Sequence, residues 1–276
     1  MELGLSTSML GRHALPDRLA ILAAHGVPWV EIHGYAQEEF DYFDWDLVRA
    51  TGTALDRHGL RLWSCHSPAG RPLDIAAEDE EVRRHTQDVV RQTMQVAADL
   101  GARVVVCDAV RRVSRDPEER RPSQALLAES VRQLLAEAAR LNLHLVIENH
   151  QWWSLFEMPE DFHDLITTHP LPGLGACWDT GHGWLAGHQA ETACRLGEHL
   201  VTVHLHDNDG REDLHLVPTE GGLTWEPLVA GLRRIGYQGP FMMELAPPNE
   251  PTDDAVARLA ARAIEVYHLL VEGDAT

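Results

Sequence analysis

The feature that most constrains this chain is an alternation. Eight short β-rich apolar runs are each followed by a longer segment of helical period, from one end of the sequence to the other. The runs are Leu3 to Met9, Trp29 to Gly34, Leu60 to His66, Ala102 to Asp108, Leu143 to Asn149, Gly175 to Asp179, Leu200 to His206 and Phe241 to Ala246. Between them, Asp79 to Leu100 (Val82, Val89, Val90, Met94, Ala97, Leu100) and Gln124 to Leu141 (Leu126, Leu127, Val131, Leu134, Leu135, Ala138) carry apolar residues at the spacing of an amphipathic helix. Gly26 and Pro28, Gly59, Gly101, Pro172 and Gly173, and Gly239 and Pro240 punctuate the joints before strands. Nearly continuous apolar strands alternating with helices argue a parallel sheet covered by helices. Eight such units in 276 residues are the size of a (β/α)8 barrel. An open doubly wound sheet is the competing arrangement, but no GxGxxG follows the first run, so its dinucleotide-binding version has no support. The expectation is an α/β protein, a single (β/α)8 TIM barrel, with residues 1–276 as one domain. The charged stretch Arg111 to Arg121 reads as a loop insertion after the fourth strand.

Charge narrows the partners. Forty-three acidic residues against 23 basic ones give a formal net charge of −20, a field that repels phosphate backbones, so no nucleic-acid partner is expected. Every basic residue is an arginine; without lysine there is no Schiff base and no Walker phosphate loop. Cys65, Cys107, Cys177 and Cys194 show no CxxC spacing, and nothing near residue 1 has the pattern of a secretion signal. Reduced thiols and a cytoplasmic location are the corresponding expectations. No apolar run approaches the roughly 20 residues a bilayer requires, so no membrane partner is expected.

Catalytic groups of such barrels sit at the C-terminal ends of the strands, so the polar residue that ends each run is the informative one. Near the ends of the last four runs stand Glu148, Asp179, His204 and Glu244. Three carboxylates aimed into one cleft repel one another unless a cation neutralises them or some are protonated. A divalent metal is the economical answer. One imidazole with three carboxylates suits Mn²⁺, Mg²⁺ or Co²⁺, with zinc overlapping in preference.

These residues lie in the segments VIENH (Val146 to His150), WDTGH (Trp178 to His182), VHLHDNDG (Val203 to Gly210), DLH (Asp213 to His215) with Glu220 and Gly221, and MMELA (Met242 to Ala246). Taken together, the segments resemble the xylose isomerase-like barrel superfamily of sugar phosphate isomerases and epimerases, which also contains endonuclease IV. The resemblance covers essentially the whole chain. It implies that Glu148, Asp179, His204 and Glu244 are the metal ligands, that Glu148 and Glu244 also move protons, and that His182 contacts substrate. His66, His182, Asp213 and His215 match further metal ligands of the endonuclease branch and enter here as substrate-side candidates. The fourth strand departs from that branch, ending in Cys107 and Asp108 where the nuclease pattern has histidine, so one metal is expected and a second is left open. The segment TEGG (Thr219 to Gly222) departs from the GEG common in the family.

Other features carry competing readings. Glu31 and His33 end the second run, with at most one of them expected inside the barrel. Trp152 and Trp153 follow Glu148 and Asn149 closely; Trp152 is a candidate sugar platform, against loop packing or a homo-oligomer interface. Arg111, Arg112, Arg115, Arg120 and Arg121 suit anion recognition, but the intervening Asp116, Glu118 and Glu119 favour a self-neutralising surface. The resulting expectation is a metal-dependent isomerase or epimerase acting on a small-molecule sugar or polyol through a metal-stabilised enediolate. Its alternatives are a dehydratase of the same barrel family, an endonuclease IV-like phosphodiesterase and a non-catalytic binding barrel.

Overall fold

Each apolar run forms a strand, trimmed to the residues that hydrogen-bond a neighbour: β1 Leu3–Ser6, β2 Trp29–His33, β3 Arg61–His66, β4 Val104–Asp108, β5 His144–Glu148, β6 Gly175–Asp179, β7 Leu200–His204 and β8 Phe241–Met243. The helices between and after them are α1 Leu15–Ala24, α2 Trp45–His58, α3 Glu80–Asp99, α4 Pro117–Arg140, α5 Pro159–Thr168, α6 Thr180–Leu185, α7 Glu226–Arg234 and α8 Asp253–Tyr267. The computed structural model describes residues 1–11, 15–34, 40–109 and 111–273. Among these, no helix is long and apolar enough to cross a membrane.

All paired strands are parallel, in the order β7-β6-β5-β4-β3-β2-β1-β8. The ring closes between β7 and β8 through a parallel bridge of Leu205 with Met243. There the Leu205 N–H donates to the Met242 carbonyl at 2.9 Å, and the Glu244 N–H to the Leu205 carbonyl at 3.2 Å. The chain is therefore the expected (β/α)8 barrel.

Strand alternation sorts the side chains into two layers. Outward residues such as Leu5, Val30, Ile32, Val105, Ile147, Trp178 and Val203 share a core with Leu19, Leu22, Val90, Leu134, Phe162, Leu228 and Val256 of the helices. Inward residues toward the strand N-termini form a separate cluster of Trp29, Trp63, Val104, Val106, Val146, Cys177 and Met242. This floor keeps the barrel packed rather than open. Its indoles meet edge to face at 5.5 Å, and Trp63 Nε1 donates to Thr202 Oγ1 at 3.1 Å. The β2–β3 register slips between Val30 and Glu31, pairing Leu62 and then Ser64, and the unpaired Trp63 fills the floor while Ser64 reaches the layer above.

Two sequence expectations need correction. The stretch Arg111 to Arg121 is not wholly a loop, because α4 starts at Pro117. Asp116 accepts from the Glu118 N–H, proline occupies the first turn, and Glu118 and Glu119 complement the helix N-terminus. The first run also ends early, since Thr7–Leu10 winds into a 3-10 turn. By contrast, the joint at Gly59 behaves as read: at φ 67° it closes α2 in the left-handed conformation, and β3 starts two residues later.

Replacing Trp63 with alanine should open the barrel floor and strand the Thr202 hydroxyl. The expected cost is about 3–5 kcal/mol, measured as a fall in the urea unfolding midpoint, with Trp63→Phe closer to wild type.

Candidate active site

The inward residues at the strand C-termini are charged, and the structure brings them together. Glu148, Asp179, His204 and Glu244 each offer one ligand atom, all within 4.8 Å of one another, so this quartet could hold a cation. Asp179 and His204 are fully buried, whereas Glu148 and Glu244 border a cavity of about 390 Å³. His33, His66, Asp108, His150, His182, Asp213 and His215 also border it.

The geometry of His204 sets the character of the centre. Its Nε2 lies 3.0 Å from Glu31 Oε2, and a carboxylate only accepts, so Nε2 carries the proton. In the neutral ring Nδ1 is then a bare lone pair. That atom is buried, lies 3.1 Å from both Glu148 Oε2 and Glu244 Oε2, and makes a well-formed hydrogen bond to neither. A lone pair facing two carboxylate oxygens is repulsive unless a cation, proton or metal, stands between them.

Protons on neighbouring imidazoles supply part of that charge. Both nitrogens of His66 face acceptors, the Ser67 carbonyl at 2.9 Å and Glu148 Oε2 at 3.1 Å. Burial opposes its protonation, but Asp108 and Glu148 outweigh burial and push it up to about 9. His182 likewise faces the Asn149 carbonyl at 3.0 Å and Asp213 Oδ2 at 3.1 Å and is raised well above the usual histidine range, against burial, by Asp179 and Asp213. Burial alone would raise Glu148 and Glu244; a proton on His204 Nδ1, favoured by Glu31, Glu148 and Glu244 against burial, and the other histidine partners hold both well below the carboxylate range. Asp108, buried and beside Glu148, is pushed up to about 6.

The motif residues between the acids fix these positions. Asn149 clips β5 to β6, accepting from the Asp179 N–H at 2.6 Å and donating to its carbonyl at 3.0 Å. Thr180 Oγ1 donates to the His206 carbonyl at 2.8 Å and thereby clips β6 to β7. Gly181 has no side chain because a Cβ there would lie 1.9 Å from His206 Cε1. His206 in turn donates from Nε2 to Asp179 Oδ2 at 2.9 Å and stacks on His215 at 3.8 Å. Asp207 organises the loop that carries Asp213 and His215. Its carboxylate accepts from the Asn208, Thr219 and Leu223 N–H groups and, at 2.9 Å, from Trp225 Nε1.

His66, His182, Asp213 and His215, the substrate-side candidates implied by the family resemblance, all border the cavity. His206, Asp213 and His215 form a further group with ligand atoms within 4.8 Å of one another. Trp152 is a correction: it is absent from the cavity wall, 45% exposed, and lies under the Arg112 guanidinium at 5.1 Å. The backbone at Trp152 and Trp153 turns through φ 58° and 66°, and the Arg112–Ser154 bridge ties this loop to the one after β4. Glu31 and His33 are a second correction. Both point inward, Glu31 to Ser64 Oγ at 2.6 Å and to His204, and His33 to Glu244 Oε1 at 2.9 Å, because residues two apart on a strand share a face. Cys107 faces the helix layer, and burial pushes its thiol up to about 12, which leaves Asp108 as the inward residue of β4. Sequence reading missed His150, Gln151 and His206. The period-two signal from His204 pointed to His206, whereas nothing local distinguished His150 or Gln151 from loop residues.

The model of the xylose isomerase-like TIM barrel family matches residues 19–262. L-ribulose-5-phosphate 3-epimerase UlaE of Shigella flexneri serotype 5b (strain 8401) is 25% identical over 253 residues, 88% of this chain and 85% of that protein. A solved D-tagatose 3-epimerase-like protein superposes with a TM-score of 0.82 at 21% identity, covering 100% of both chains. The 3-keto-D-glucoside 4-epimerase YcjR from E. coli superposes at 0.77 with 18% identity, over 96% of this chain and 99% of that one.

Removing the Asp207 carboxylate should unseat the loop bearing Asp213 and His215. Asp207→Ala strands four donors, three of them main-chain, and should lower stability by about 3 kcal/mol or more, with hydrogen exchange faster across residues 207–225.

Proposed function

The chain belongs to the xylose isomerase-like TIM barrel family, and from that premise we propose that it is a divalent-metal-dependent epimerase or isomerase of a ketose or related polyol. The observation that carries this reading is depth. Asp179 and His204 lie beneath the cavity, while Glu148 and Glu244 of the same quartet border it. One centre thus offers a cation cradle and two carboxylates to a bound sugar. The two named epimerases reported above, of L-ribulose 5-phosphate and of a 3-keto-D-glucoside, support sugar chemistry.

The donor set fits a divalent ion. The orphaned Nδ1 of His204 and the oxygens of Glu148, Asp179 and Glu244 are the ligands we assign, a mostly oxygen set suited to Mn²⁺, Mg²⁺ or Co²⁺ and tolerated by Zn²⁺. Such an ion, when bound, supplies Lewis acidity that offsets the negative charge of an enediolate. The remaining steps belong to the side chains. One glutamate takes the proton next to the substrate carbonyl, and delivery of a proton to the opposite face by the other glutamate, which carries one at that stage, inverts the carbon. Return by the same glutamate to the adjacent carbon, with the hydroxyl proton passing between the two oxygens, exchanges aldose and ketose. His66 and His182 beside Glu148, and His33 beside Glu244, orient the carboxylates. Leu245, Ala246 and Pro247 supply an apolar wall that limits water.

The phosphodiesterase alternative is weaker, since β4 offers Asp108 in place of histidine and its Cys107 is turned away. Three tightly bound zinc ions per chain would reverse that ranking.

Metal analysis of purified protein should find at least one divalent ion per chain, and EDTA should abolish proton exchange of ketoses in D₂O followed by NMR. Activity in fully demetallated protein would refute the assignment. Asp179→Asn and His204→Ala should lower metal affinity directly. Glu31→Gln, which loosens the hydrogen bond orienting His204, should lower it roughly 10- to 100-fold.

Glu148→Gln and Glu244→Gln should each reduce kcat far more than KM. For a two-base epimerase, one of them should still exchange the substrate proton from a single epimer without inverting it. Near wild-type inversion by both variants with metal bound would exclude the mechanism.

A further inference from the structure

A second hollow, of about 540 Å³, adjoins the catalytic cavity, with His150 in the wall of both. Three arginines, Arg71, Arg111 and Arg112, line it together with Asp74. Arg111 is fully engaged: its guanidinium meets Asp74 Oδ2 at 3.0 Å, Glu78 Oε1 at 2.6 Å and Ser123 Oγ at 3.1 Å. That pairing also neutralises Asp74, the acid in the wall.

Arg71 and Arg112 differ. Among the described residues, neither guanidinium has a carboxylate partner or a hydrogen bond. The contrast with their surroundings is sharp, because Arg115, Arg120 and Arg121 of the same loop region pair with Glu157, Asp161 and Glu118. Both side chains are exposed, and on a chain of net charge −20 they place two guanidinium groups without a carboxylate partner in the wall of one hollow beside the active site. Arg112 is also held in place. Its backbone bridges Ser154, the flanking Val113 N–H donates to the Trp153 carbonyl at 2.8 Å, and its guanidinium lies over Trp152 at 5.1 Å. Stacking through the face leaves the in-plane N–H groups for an anion. Finally, His150 Nδ1 accepts the Gln151 N–H at 3.1 Å, which puts the proton of the neutral ring on Nε2 as a further donor.

We propose that this hollow is a phosphate subsite, so that the substrate is a ketose phosphate whose reacting carbons lie between Glu148 and Glu244 and whose phosphate sits between Arg71 and Arg112. Two uncompensated positive charges match a phosphate monoester dianion, whereas a carboxylate would leave one of them unmatched. The proposal rests on the epimerase reading for the reacting carbons, but its anion chemistry can be tested apart from catalysis.

The test compares wild type with Arg71→Gln and Arg112→Gln, all Mg²⁺-loaded, on a ketopentose, its 5-phosphate and inorganic phosphate. Each variant should lower kcat/KM for the 5-phosphate roughly 10- to 100-fold, mainly through KM and less so at high salt, the size of one charge-assisted hydrogen bond. The free ketose should stay within about twofold of wild type. Inorganic phosphate, followed by ³¹P NMR, should bind wild type and bind both variants more weakly. Equal losses on free and phosphorylated ketose, no wild-type preference for the ester, or no phosphate binding by wild type would each overturn the subsite. If no ketose turned over but phosphate bound in an arginine-dependent way, the epimerase reading would fail and the anion site would stand.

Discussion

Concentrated negative charge at one end of the barrel is the constraint on which the rest of the molecule depends. Glu31, Glu148, Asp179 and Glu244 are all nearly inaccessible to water, and Asp108 joins them from the next strand. No fold sets that many carboxylates together without compensation. Part of it comes from His66 and His182, whose carboxylate neighbours favour the protonated ring, and from an Asp108 carboxyl pushed up to about 6. The remaining deficit is concentrated at the His204 Nδ1 lone pair between two glutamates, which is where a divalent ion fits. The apolar floor of Trp29, Trp63 and their neighbours closes the barrel below this layer, so the charge can be met only from the mouth.

The supporting residues do two tasks at once. In WDTGH, Asp179 faces the centre, Thr180 clips the next strand, Gly181 makes room for His206 and His182 reaches both Glu148 and Asp213. In the segment after β5, Asn149 holds β6 while His150 stacks on His182 at 4.3 Å and turns toward the neighbouring hollow. A functional residue and the residue that registers its strand therefore sit side by side in sequence. This is why short motifs of this chain carry so much of the site, and why substitutions between the acids should disturb geometry as well as stability. The loops after β4 and β5 are joined by the Arg112–Ser154 bridge, which couples the proposed phosphate hollow to the strand that carries Glu148.

The sequence by itself determined the eight alternating units, their parallel closure and the acid or imidazole at the end of each of the last four strands. Those features are set by local periodicity and by chain order, which are properties of neighbouring residues. His66, His182, Asp213 and His215 were marked through the resemblance of their segments to a known family. What only the tertiary structure decided are relations between distant segments. Glu31 orients His204 across 173 positions, and Arg111 is consumed by Asp74 and Glu78 while Arg112 has no carboxylate partner among the described residues. Trp152 leaves the mouth through a left-handed turn that its composition did not announce. Hydrogen-bond partners, loop conformation and the balance of buried charge depend on which strands stand next to one another in a closed ring, and a one-dimensional pattern carries that information only up to the face on which each side chain lies.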